Sequence, residues 1–289
     1  MFRNKLISLF RNPFAPKFNT LAERMLHYRR KTDYKLPKKS YVIVMLDGKN
    51  FSTKVKKKFK RPFDETFIKL MNDTAAYVCS QVQGAKLAYV QSDEISIVIT
   101  DFEEEKTTPF FDFRLCKMQS IIPALATSFF NKEILRRIVE TPMSQSDMLE
   151  AFNREPLYQF DCKAWTVPTY NDVFSWLLFR QNDCTKNSKN QVAQAHFPHK
   201  KLLNKTADEQ IAMLKEEKNI DWYGPEFNDG ERYGRLIYKE MIEKETIIAG
   251  KPVNFLRSVW KSHYAPILNK EDGRNEFLNL NLIPTKSNE

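Results

Sequence analysis

Two short segments of this chain set carboxylates where a divalent cation and a phosphate could meet. In Ala88-Tyr89-Val90-Gln91-Ser92-Asp93-Glu94-Ile95-Ser96-Ile97-Val98-Ile99 an acidic pair interrupts two apolar runs. Ile95, Ile97 and Ile99 recur at period two, so the segment reads as strand, tight turn and returning strand. Acids at such a turn stand on rigid backbone and face solvent. That suits a hard cation that takes oxygen ligands and keeps positions open for phosphate. Asp47 closes a second apolar run, Tyr41 to Leu46, and Gly48 follows it at once. Glycine lets a triphosphate approach the backbone, and the amides from Lys49 to Ser52 form a candidate phosphate nest. Taken singly, Asp-Gly is a common turn dipeptide and Asp-Glu an ordinary solvated hairpin tip. Taken together they favour a metal site, because adjacent carboxylates repel unless a cation neutralises them. The chemistry this implies is phosphoryl transfer.

The elements that must position these acids follow from periodicity. Leu21 to Arg30 reads as a short helix with Leu21, Met25 and Tyr28 on one face. The strand Tyr41 to Leu46 runs into a segment, Lys49 to Arg61, with seven basic residues and no acid, which reads as a phosphate-contacting loop or arm. Asp64 is placed as N-cap of a helix carrying Phe67, Leu70, Met71, Val78 and Val82, with Gly84 as its stop. Leu115 to Asn131 is a second helix, with a kink expected at Pro123. A strand at Leu157 to Phe160 ends in Asp161. This order is that of a ferredoxin-like palm. Beyond Pro168 the pattern is mainly helical (Asn171–Asn182, Lys186–Ala195, Ala207–Lys218), with a pair of strands around Gly250 and Pro252. The fold class expected is α+β: a basic arm over 1–16, a palm over 17–165 and a mainly helical region over 166–289 that completes the site.

The formal net charge of +10 and pI near 9.3 favour a polyanionic partner, nucleic acid ahead of membrane. No apolar run is long enough to span a bilayer. The four cysteines, Cys79, Cys116, Cys162 and Cys184, form no CxxC pair and fit reduced thiols in the cytoplasm. The basic first sixteen residues leave organellar targeting open, although they lack Ser-rich character. His196 and His199 lack the companions of a zinc site and read as surface residues.

Several ordered motifs together give the chain a family likeness. They are Asp47-Gly48-x-x-Phe51, the Pro62-Phe63-Asp64 helix start, Tyr89-x-Gln91-Ser92-Asp93-Glu94-x-Ser96, Lys117, Phe160-Asp161-x-Lys163, Arg180-Gln181-x-Asp183 and Asn187-Ser188. In these the chain resembles the tRNA-His guanylyltransferase superfamily, including members that repair tRNA by adding nucleotides in the 3′-to-5′ direction. The resemblance implies that Asp47, the Gly48 carbonyl and Asp93 hold two Mg2+ ions, with Glu94 supporting them as a third catalytic acid. It implies nucleotide binding by Asp47, Gly48, Lys49, Asn50, Phe51, Ser52, Ser92, Asp93 and Lys117. Contacts to the RNA or a second nucleotide fall to Lys163, Arg180, Asp183 and Asn187. ATP and GTP are the implied substrates, tRNA the partner and a homotetramer the assembly.

The departures are specific. Met45 stands where such families carry arginine, and Lys163 replaces an arginine, keeping charge but losing the bidentate fork. Thr185 to Gln191 replaces a His-x-Asn-Asn signature, a pattern nearer the repair-type members. A palm-domain cyclase and an inactive tRNA-binding relative are the alternatives. The Arg180-Gln181 and Phe160-Asp161 elements weigh against the first, and the retained acids against the second.

Overall fold

The computed structural model describes residues 16, 18–102, 106–248 and 251–285. The basic arm up to residue 15, and Gly250, lie outside the described residues. Helix α1 (Leu21–Arg30) starts at a capping box in which Thr20 and Glu23 satisfy each other's backbone amides. Strand β1 (Tyr41–Gly48) sends alternate side chains to opposite faces. Val42, Val44 and Leu46 pack with Leu70, Met118 and Phe130 on one side; Tyr41 and Ile43 pack with Val173, Leu177 and Phe277 on the other. Burial on both faces makes β3 (Glu94–Ile99) buried at every position, with Ile95, Ile97 and Ile99 on one side of its pleat and Val98 on the other.

The strands form one antiparallel sheet in the order β4-β1-β3-β2-β5-β6, with β2 at Ala85–Gln91, β4 at Phe160–Val167, β5 at Arg235–Ile248 and β6 at Lys251–Tyr264. Helices α3 (Glu65–Gln81) and α4 (Leu115–Glu140) cover one face, and α6 (Tyr170–His196) covers the other. Asp64 caps α3 as its position predicts, accepting from the Phe67 N–H at 2.9 Å. Gly84 turns the chain at φ +83°, where a Cβ would lie 2.3 Å from the Thr100 carbonyl oxygen. The fold is thus the α+β palm with a largely helical C-terminal region that the sequence pattern implies. That region adds α8 (Ala207–Lys218), α9 (Asp229–Tyr233) and α10 (Glu271–Asn279) after the four-residue α7 (His199–Leu202).

Four local expectations are corrected. The basic run forms a helix, α2 (Phe51–Lys58), because Phe51, Val55 and Phe59 fall on one side and bury. Strand β4 begins at Phe160 rather than ending there, so Asp161 opens the strand. The two helices expected across 171–195 are one, since nothing between Asn182 and Lys186 breaks it. The C-terminal strand pair is longer than expected and joins the palm sheet through β2, with Leu236 opposite Tyr89. Helix α4 runs on past Pro123, which lies buried within it. A short helix, α5 (Gln145–Arg154), joins α4 to β4.

Candidate active site

Strand register builds the site. At one end of the sheet Asp161 lies opposite Asp47, Asp47 opposite Glu94, and Glu94 opposite Gln91. Cross-strand partners share a face, so four polar side chains form a row over β4, β1, β3 and β2. The β2–β3 turn bends at Ser92 (φ 45°), and the Gly48 N–H donates to the Asp93 carbonyl at 3.1 Å. That bond ties the hairpin tip to the end of β1 and brings Asp93 beside Asp47.

The charges in this row are unevenly compensated. Arg180, reaching down from α6, grips Glu94 with Nε at 2.6 Å and Nη2 at 2.7 Å, and Asp183 through Nη1 at 2.9 Å. Among the described residues neither Asp47 nor Asp93 has a salt bridge. Burial, and next the neighbouring Asp161, push the Asp47 carboxyl above its ordinary value. Burial pushes Asp93 upward, and the Asp47 charge adds to it. Glu94 is also raised by burial, against the pull of Arg180.

Gly48 has a packing reason as well as a turning one. A Cβ there would fall 2.5 Å from Cγ of Phe51, whose ring packs directly over the strand end. Phe51 in turn anchors among Phe130, Tyr158 and Phe160 at ring separations of 5.3, 5.1 and 5.0 Å. The spacing of the Asp47-Gly48-x-x-Phe51 motif therefore fixes the first turn of α2 against the acids. Asn50, in the left-handed region at φ 58°, precedes that turn, and a helix start leaves its first amides without internal partners. The Lys49 N–H is already bonded to the Gln159 carbonyl at 2.9 Å, so the candidate nest starts at Asn50. Ser52 lies in the first turn.

Beside this turn lies a cavity of about 300 Å³, walled by Phe51, Phe59, Phe63 and Phe67 and closed by Ser92, Asp93 and Asn187. The structure thus brings Asp47, Gly48, Phe51, Ser92, Asp93, Glu94 and Asn187 together. Lys163 stands exposed on β4, two residues beyond Asp161 on the same face, and lowers the Asp47 value. Arg180 pairs with Glu94 of β3 and with Asp183, three residues on in α6, and Asp183 lies inside that helix, 42% exposed. Part of the basic run is also engaged internally: Lys54 donates to the Leu157 carbonyl at 2.7 Å and Lys58 pairs with Glu155 at 2.6 Å.

Lys117 is not brought to the site within one chain. The Phe160 N–H donates to Thr127 Oγ1, which levels Thr127 with Gly48, the register partner of Phe160. Lys117 lies ten residues earlier on α4, about 15 Å along the helix axis. It sits by the opposite end of the sheet, where the Leu115 N–H donates to Tyr34 ahead of β1. Sequence reasoning assigned no role to Asp161, which adjoins Asp47. Its signal was the Phe160-Asp161-x-Lys163 alternation, read as a strand end.

Among the described residues no three His, Cys, Asp or Glu side chains form a ready-made metal cage. The donor set present still fits Mg2+, which takes one or two carboxylates and completes its shell with water and substrate phosphate. Asp47, exposed near the end of β1, and the half-buried Asp93 offer two such carboxylates, neither held in a salt bridge among the described residues.

A six-stranded antiparallel palm with strand-end acids beside a cavity is the layout of a nucleotidyltransferase. The family model described as Thg1: tRNAHis guanylyltransferase matches residues 4–168, and the chain belongs to that family. Among solved structures it is similar to a bacterial tRNA(His) guanylyltransferase-like protein in complex with ATP. That likeness has a TM-score of 0.73 at 32% identity, covering 91% of this chain and 99% of that one. A corresponding complex with GTP gives a TM-score of 0.68 at 28% identity, with the same coverage of 91% and 99%. The tRNA(His) guanylyltransferase of Neurospora crassa is 29% identical over 150 residues, 52% of this chain and 46% of that protein. The chain thus aligns with about half the length of that curated relative. No helix among the described residues is long and apolar enough to cross a membrane.

Proposed function

We propose that this chain is a magnesium-dependent nucleotidyltransferase that adds nucleotides to the 5′ end of tRNA in the 3′-to-5′ direction, as a guanylyltransferase or in 5′-end repair. The observation that carries the reading is the tie between the Asp93 turn and the Gly48 strand end at the mouth of an aromatic cavity. Asp47, the Gly48 carbonyl and Asp93 would hold two Mg2+ ions. Bound there, the metal supplies charge neutralisation and Lewis-acid polarisation of phosphate.

The chain's own residues do the rest. The cavity's phenyl rings hold the base of ATP or GTP, which fixes its phosphates toward Ser92 and Asp93. The first-turn amides of α2 receive phosphate oxygens at a helix N-terminus, and Lys49 adds positive charge. Arg180 holds Glu94 in place and screens the acid row, a positioning role. The RNA 5′ end is activated by adenylylation with ATP, or carries a triphosphate. The 3′-hydroxyl of the incoming nucleotide then attacks that 5′ phosphorus, forming the new ester as AMP or pyrophosphate leaves. Orientation of hydroxyl and phosphorus accounts for most of what the protein contributes. Asn187 and Lys163 flank the row and are proposed to meet the RNA end or second nucleotide. A homotetramer and a cytoplasmic location belong to the same proposal; light scattering of the purified chain tests the assembly.

The test is a tRNA lacking its 5′ nucleotide incubated with the chain, Mg2+, ATP and labelled GTP. Growth of the 5′ end supports the reading. A cyclic nucleotide product, or binding without turnover, overturns it.

A further inference from the structure

Helix α6 turns one ridge toward β4. Trp176 packs edge-on against Trp165 of β4 at 4.8 Å and donates from Nε1 to Ser96 Oγ at 3.2 Å. Residues three and four further on share that side of a helix, which puts Phe179 and then Asp183 on the same ridge. The other flank of α6 faces the C-terminal segment, where Gln181 donates to the Tyr233 and Pro266 carbonyls. Phe179 belongs to neither core that sandwiches the sheet, and it is 51% exposed. Its ring rests instead on the Arg180 guanidinium, 5.0 Å from the ring centre, with Trp176 tilted against it at 5.6 Å. Arg180 is itself fixed by its bonds to Glu94 and Asp183. A half-exposed ring is thereby held in place beside the acid row.

The cavity proposed for the incoming base is walled by Phe51, Phe59 and Phe67, which belong to the core under α3 and α4. With that space taken, an RNA 5′ end must reach Asp47 and Asp93 from another direction. Strand β4 is the outer strand of the sheet, and its Asp161 and Lys163 are exposed, as is Asp47. An exposed path therefore leads to the acids between the β4 edge and the Phe179–Asp183 ridge. A single ring among Lys163, Arg180 and Asp183 is too small an apolar surface to dock a protein. It suits a nucleobase, because every base has a face to stack and a nearby lysine serves the phosphate.

We infer that Phe179 is a binding residue that stacks the 5′-terminal base of the tRNA at the β4 edge of the acid row. The inference rests on the proposed reaction at an RNA 5′ end. Stacking tolerates all four bases, so the contact positions the end without reading its sequence. Its loss lowers tRNA affinity on the order of tenfold.

Binding of two tRNAs to the full chain with Mg2+ tests it. Both lack the original 5′ nucleotide, and one carries an abasic residue at its new 5′ end. The unaltered chain should bind the abasic tRNA about tenfold more weakly than the intact one. Phe179→Ala should bind both equally and weakly, whereas Phe179→Trp should keep the difference, with melting temperature recorded beside each. ATP affinity should be the same in Phe179→Ala as in the unaltered chain, since the ring serves the RNA end and not a free nucleotide. Equal binding of the two tRNAs by the unaltered chain overturns the inference. An undiminished difference in Phe179→Ala does so too, as does a loss confined to ATP. Should the alanine variant fail to fold, Phe179→Leu, which keeps bulk without a ring, gives the same comparison. Binding of neither tRNA by the unaltered chain would overturn the RNA reading itself, a different failure.

Discussion

Arg180 holds Glu94 through two prongs, at 2.6 and 2.7 Å, from a helix 86 residues further along the chain. Both side chains are only 11% exposed. Glu94 is thereby committed, which leaves Asp47 and Asp93 as the acids open to a cation. Removing one partner of a buried pair strands the other charge, so Arg180→Ala should destabilise the fold by about 3 kcal/mol or more. Arg180→Lys keeps the charge but loses the fork and should cost less. Chemical denaturation of both variants measures the difference.

Asp93 should show a trade of stability for function. Its raised value means that its protonated form favours the folded chain. That contribution is complete below the ordinary value of 3.8 and is lost as pH rises through the raised one. At neutral pH and without Mg2+ the carboxylate is charged and desolvated, so Asp93→Asn should raise stability by about 1 kcal/mol. The gain should fade as pH falls through the acid's titration. Melting curves of both chains between neutral and acid pH are the check, and a gain that grows toward acid would contradict the sign.

Gly48 and Phe51 should behave as a coupled pair. Gly48→Ala places a methyl 2.5 Å from the Phe51 ring and should cost about 1–3 kcal/mol by overpacking. Adding Phe51→Leu should cost less than the two single effects summed, because the smaller side chain relieves the clash. Urea denaturation of the three variants gives the coupling energy.

Lys117 lies too far from its own chain's acids for a phosphate contact. Binding of ATP by Lys117→Ala should remain within about twofold of the unaltered chain, since charges separated by more than a Debye length are screened. Titration at physiological ionic strength measures it, and a large loss would show that a nucleotide reaches this end of the sheet.

The strands that carry the site were legible where one pattern dominated. Tyr41 to Leu46 announced itself as an unbroken apolar run, Ile95 to Ile99 through isoleucines at period two, and Asp64 announced a cap. Helix α2 was not, because its four lysines masked a Phe51-Val55-Phe59 face that only packing reveals. Strand β4 was displaced because Leu157 to Phe160 is more apolar than the half-exposed strand that follows it. The length of β5 and β6 was hidden by charged residues on a two-stranded ribbon with little core to mark it. The acid pair of the site was readable from types and spacing. Its counterparts were not: the Arg180–Glu94 bond and the Asp161–Asp47 neighbourhood both depend on which distant elements adjoin.

The central claim is that Asp47 and Asp93 together hold the metal that serves nucleotide addition at an RNA 5′ end. Asp93→Ala compared with the unaltered chain tests it most directly, with labelled-GTP incorporation and tRNA binding measured in the same preparation. The account predicts loss of incorporation by roughly a hundredfold or more, with tRNA affinity nearly unchanged. Incorporation at the normal rate by Asp93→Ala would contradict it.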